Sequence, residues 1–128
     1  MKSKLEIYAL AVCFAAVVCL VITSGIAGYS LIGVAAPEFT IDKYDYDRHL
    51  SNDKFFKQTR NYGCKDKCDN ERPTEEVLTK NRLESYQVEL SGERRNNFQT
   101  LIQCFMFLAV SIVALWVHWR IAKNSRAT

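Results

Sequence analysis

The sequence predicts an all-α membrane protein: two transmembrane helices in a hairpin, joined by a partly helical extramembrane loop of 61 residues. Three observations predict it. Residues 7–36 carry no charged side chain, and residues 101–119 repeat that pattern near the other end. Each run suffices for a helix to cross a bilayer, which takes roughly 20 apolar residues at about 1.5 Å each over a hydrocarbon core of about 30 Å. Finally, 25 of the 31 Asp, Glu, Lys and Arg residues fall within 37–97. The bulk composition, 48% apolar and 24% charged, hides this segregation because a soluble domain could show the same averages.

Residues 1–6 form a short tail bearing Lys2 and Lys4, and residues 120–128 a basic tail bearing Arg120, Lys123 and Arg126, with Glu6 the one acid among these flanks. The net charge of +3 therefore sits at the tips, since the middle holds twelve basic against thirteen acidic side chains. No basic stripe is present there, so nucleic acid is not an expected partner. Lys and Arg beside a span are retained on the cytoplasmic side. Both termini are accordingly expected in the cytoplasm and the loop in the periplasm or outside the cell. Tyr8, Trp116, His118 and Trp119 are expected to anchor one membrane–water interface, where amphipathic rings reside.

The first span, 7–36, competes with a cleaved signal peptide because Lys2 and Lys4 imitate such an opening. Signal hydrophobic regions run about 7–15 residues, and this one runs thirty. Gly25-Ile26-Ala27 could serve as a cleavage signature, whereas Ala35-Ala36 is followed by the unsuitable Pro37. A lipoprotein anchor is disfavoured because neither Cys13 nor Cys19 follows the small residue lipidation requires. The expectation is a retained helix.

Within it Ala11, Ala15, Cys19, Thr23 and Ala27 recur every four residues, and Val12, Ala16, Leu20, Ser24 and Gly28 form the adjacent ridge. Small side chains sharing a face let helices approach closely enough for dispersion to hold them, which matters where lipid removes the hydrophobic drive. Of these, Ala11, Ala15, Cys19, Thr23, Ala27, Ser24 and Gly28, with Gln103 and Ser111 of the second span at 98–119, are the candidate helix-packing set. Gln103, Phe107, Ser111, Ala114 and His118 share a stripe. An amide in hydrocarbon is costly unless bonded, so Gln103 is expected against protein or at the outer interface. His118 lies between Trp116 and Trp119, beside Arg120, which favours anchoring over proton transfer.

The loop carries the remaining expectations. Ser51-Asn52-Asp53 supplies helix-start residues ahead of Phe55 and Phe56, predicting a short helix over 52–59. A second helix is predicted over about 74–90: Thr74 caps it, Glu75 and Glu76 suit its positive end, Glu76 pairs with Lys80, and Ser91-Gly92 ends it. Its apolar residues Leu78, Leu83, Tyr86 and Leu90 form a narrow stripe, too little for an independent helix.

Cys13, Cys19 and Cys104 read as small apolar fillers. Cys64 and Cys68, in Cys64-Lys65-Asp66-Lys67-Cys68, are expected to form a disulfide if the loop is extracytoplasmic. Redox-active pairs use two intervening residues on a helix start, and a tetrahedral metal would need two more ligands, with His49 the only imidazole in the loop. No metal and no cofactor is expected. There is no strained serine turn, Gly-rich phosphate loop or metal-binding helix pair, so an enzyme is not expected either. The expected function is that of an accessory or assembly subunit, its partners being the lipid bilayer and a larger membrane protein or a second copy of itself. The alternative is a homo-oligomeric channel with the Gln103/Ser111 stripe toward water. Lack of a glycosylation sequon in the loop points to a bacterial inner membrane.

Overall fold

The computed structural model describes residues 4–63 and 71–127, whose regular elements are all helices. Helix α1 spans Lys4–Ala35, α2 Lys43–His49, α3 Asn52–Gly63 and α4 Glu75–Ala127, with a 3-10 turn at Pro37–Phe39. Two of them, α1 and α4, are long and apolar enough to cross a membrane. No strand occurs among the described residues.

Local chemistry sets the boundaries. Helix α1 starts with Glu6 in its first turn, favourable at the positive helix end. It stops at Pro37, whose ring forces the preceding residue out of the helical region; Ala36 stands at φ −142° and ψ 74°. Helix α2 was not foreseen, yet it has a cap: the Tyr44 N–H donates to Asp42 Oδ1 at 3.0 Å. Helix α3 begins at the expected Asn52 and runs one turn beyond Thr59, to Gly63. Its cap is Ser51, whose Oγ accepts from the Lys54 N–H at 3.3 Å.

The largest difference from expectation is at Ser91-Gly92, where α4 continues instead of ending. A glycine ends a helix by adopting a left-handed conformation, and no described glycine has a positive φ. Ser91 is absorbed as well, its hydroxyl donating to the Val88 carbonyl at 2.8 Å. The cost of an interior glycine, about 1 kcal/mol relative to alanine, is small when strong helix formers flank it. Lys80 reaches forward to Glu84 at 3.9 Å, where a pair with Glu76 was expected.

The chain divides into two compact units, Met1–Leu31 with Asn97–Thr128, and Ile32–Asn96. In the first, a row of α1 positions is buried or half-buried: Glu6, Ala9, Cys13, Ala16, Leu20, Thr23, Ala27 and Ser30. Its steps alternate three and four. The α4 segment has a matching row in Asn97, Leu101, Cys104, Leu108, Ser111, Leu115, His118, Ala122 and Ser125. A 3–4 alternation keeps one stripe of a helix against its neighbour. Alanine and cysteine on one side and leucine on the other fill the seam. The Cys13 thiol lies 4.0 Å from the Leu115 carbonyl oxygen, and the Tyr8 and His118 rings are 6.1 Å apart. Outside the seam the surface is apolar, with Phe14 72% and Val110 68% exposed. A patch this large requires an apolar surrounding, lipid or protein.

In the second unit α2 and α3 pack with residues 75–96 of α4. The apolar centre is small, chiefly Phe55 and Leu78, as expected of so short a segment. Polar contacts supply most of the remaining ties.

Candidate functional site

Two places combine polar side chains with shape. The first is a groove of about 440 Å³ in the apolar unit, where α1 contributes Cys19, Ile22, Thr23 and Ile26 and α4 contributes Thr100, Gln103, Cys104, Phe107 and Ser111. Four residues of the expected packing set, Cys19, Thr23, Gln103 and Ser111, therefore line one concavity. Gln103 is exposed while Thr23 and Ser111 are half-buried. The floor thus bears hydroxyls that can donate or accept, and the rim an amide that does both. In an apolar surrounding that amide is the costliest unmet group of the groove.

The other candidate packing residues fall on two sides. Ala27 is half-buried within the seam, whereas Ala11, Ala15, Ser24 and Gly28 are exposed. A methyl group added at Gly28 or Gly25 has no neighbour within 4 Å. These exposed small residues are therefore not covered by α4, Ala11 and Ala15 lying on one side of α1 and Ser24 and Gly28 on another. Of the expected interface anchors, Tyr8, Trp116 and Trp119 are exposed. His118 is half-buried, with Nδ1 2.8 Å from the Ala114 carbonyl, and the Arg120 guanidinium lies 4.8 Å from the centre of the Trp116 ring.

The second place is a polar clasp around His49 in the loop unit. His49 is 8% exposed, its ring 5.6 Å from Phe55 and 5.4 Å from Tyr86. Its Nδ1 is 2.6 Å from the Asp45 carbonyl, which can only accept, so this nitrogen carries the hydrogen. In the neutral ring Nε2 then accepts from the Ser85 hydroxyl at 3.0 Å. Arg48 Nη2 donates to Ser85 Oγ at 3.3 Å and to Glu89 at 3.4 Å, and Arg82 Nη1 donates to the His49 carbonyl at 2.8 Å. The histidine has the tautomer a general base would need. Ser85, however, sits within α4, where backbone N–H groups are already bonded along the helix, so they do not stand ready for an oxyanion. Arg48 occupies the hydroxyl besides. The geometry serves as a clasp, fixing α2 to α4.

A second tie lies one helix along. Asn52 Nδ2 donates to Glu75 at 2.9 Å and to Thr79 at 2.8 Å. Arg72 bridges Asp53 at 2.7 Å and Glu75 at 2.6 Å. The Asn52 amide, aided by the Arg72 charge and opposed by partial desolvation, holds the Glu75 carboxyl below the usual carboxylate range. The bond to Asp53 raises Arg72 in turn.

Sequence reasoning missed this clasp. The available signal was the row Glu75, Thr79, Arg82, Ser85 and Glu89, polar groups three or four apart on one face of α4. Cys64 and Cys68 lie outside the described residues, and Cys13, Cys19 and Cys104 are free thiols. Among the described residues no three His, Cys, Asp or Glu side chains gather as a metal site. No family model, curated protein or solved structure matches the chain.

Proposed function

We propose that this chain is a two-span integral membrane hairpin that serves as an accessory subunit of a larger membrane protein. The observation that carries the reading is that small residues of α1 stay exposed on both sides of the seam, Ser24 and Gly28 on one and Ala11 and Ala15 on the other, the latter continued by Cys19 into the groove rimmed by Gln103. A partner helix laid along the Ala11, Ala15 and Cys19 side would gain close backbone approach and give the Gln103 amide a bonding partner, and one laid along the Ser24 and Gly28 side would gain the same approach. The ordering of the contacts, Tyr8 with His118 and Cys13 with Leu115, supports an antiparallel pair of spans. Charge at the tips supports cytoplasmic termini in a bacterial inner membrane, with the clasped loop unit outside.

The test is purification of the tagged full-length chain from native membranes in mild detergent. The wild type should bring down a membrane protein in fixed ratio. Ala15→Leu and Gly28→Leu should weaken that association by about 1–3 kcal/mol, roughly five- to 150-fold in the dissociation constant, and lower recovery accordingly. Their own helicity should be unchanged, because the space around Gly28 is open. Undiminished recovery would defeat the reading. A homo-oligomeric pore is the second reading, favoured by Gln103 and Ser111 sharing a groove. It predicts conductance in liposomes and self-association as the interaction those variants lose.

A further inference from the structure

Where α1 begins and α4 ends, the apolar unit has a crevice of about 280 Å³ lined by Leu10, Trp119, Ala122 and Lys123. Its chemistry is divided. Leu10, the buried Ala122 and the indole of Trp119 make an apolar slot, and Lys123 places one ammonium at its edge. That ammonium has no acidic partner among the described residues. Glu6, the only acid of this end, is 6% exposed and engaged with other groups, while Arg120 lies over the Trp116 ring. A slot for hydrocarbon with a spare cation at its lip, in the band marked by Tyr8, Trp116 and Trp119, complements an amphiphile with an anionic head.

We infer that this crevice binds an anionic phospholipid, its phosphate paired with Lys123 and the upper part of one acyl chain laid between Leu10 and Trp119. The inference rests on the two-span reading and adds a ligand class to it. Juxtamembrane cations draw anionic lipid from the surrounding leaflet, each Lys or Arg changing local occupancy by about fivefold. The apolar walls convert that diffuse attraction into a site.

Trp116 and Trp119 are the only tryptophans of the chain, so their fluorescence reports the crevice and its rim. The full-length protein is reconstituted in phosphatidylcholine vesicles containing, over the same series of mole fractions, either phosphatidylglycerol or phosphatidylcholine brominated on the upper acyl chain. Brominated phosphatidylglycerol should quench at about fivefold lower mole fraction. Lys123→Gln should bring the two lipids to near parity, and Lys123→Arg should keep the preference. Equal quenching by the two lipids in the wild type, or a preference undiminished in Lys123→Gln, overturns the site while leaving the membrane reading intact. Absence of quenching by either lipid overturns both.

Discussion

Asn52 shows how much one side chain can organise. Its amide hydrogens reach both Glu75 and Thr79, joining the start of α3 to the start of α4. Because Glu75 is depressed in the folded chain, it binds fewer protons there than when unfolded. Its contribution is therefore complete above the ordinary carboxylate value and is lost as pH falls through the lower folded value. Asn52→Ala should move the Glu75 carboxyl titration, followed by carbon NMR, upward toward the ordinary value; an unmoved titration would show that Arg72 alone sets it. The residue-scale clasp was hardly legible in the sequence. His49 and Ser85 are 36 positions apart, and no local pattern announces such a contact. The seam was legible in kind: small residues do line α1, and an interval-four row was expected. The buried row instead runs by threes and fours, meeting one expected row at Thr23 and Ala27 and its neighbour at Ala16 and Leu20. Alanine is so frequent along α1 that composition leaves the row undetermined, and the side chains of the facing segment select it.

At the scale of elements, α1 and the apolar part of α4 were evident from the absence of charge alone, because excluding Asp, Glu, Lys and Arg over such a length leaves few alternatives. Helix α2 escaped notice because seven residues, KYDYDRH, show no apolar period; a capping aspartate and tertiary contacts sustain it. The continuity of α4 through Ser91-Gly92 escaped for the opposite reason, a stop signal outweighed by the helix on either side. Gly92 has open space around it, so Gly92→Ala should stabilise the helix by about 0.5–1 kcal/mol. Slower amide exchange across 88–96 in detergent would register this. A loss of stability would mean that the glycine is held in a conformation alanine cannot share.

For the whole molecule, the two-span reading makes a prediction about sidedness. Cys64 and Cys68 should resist a membrane-impermeant thiol reagent in intact cells, and both should label after mild external reduction. Immediate labelling would defeat the disulfide, and protection even after reduction would place the loop on the cytoplasmic side. The charge pattern that suggests this topology also leaves the two spans unequal. Thirty residues are uncharged in the first and 24, residues 96–119, in the second, roughly 45 Å against 36 Å of helix for a hydrocarbon core of about 30 Å. In lipid the longer one must lean or draw a thicker annulus around itself. Hydrophobic mismatch would then act on one side of the pair more than the other, and bilayer thickness would become a variable in where this protein settles and what it assembles with.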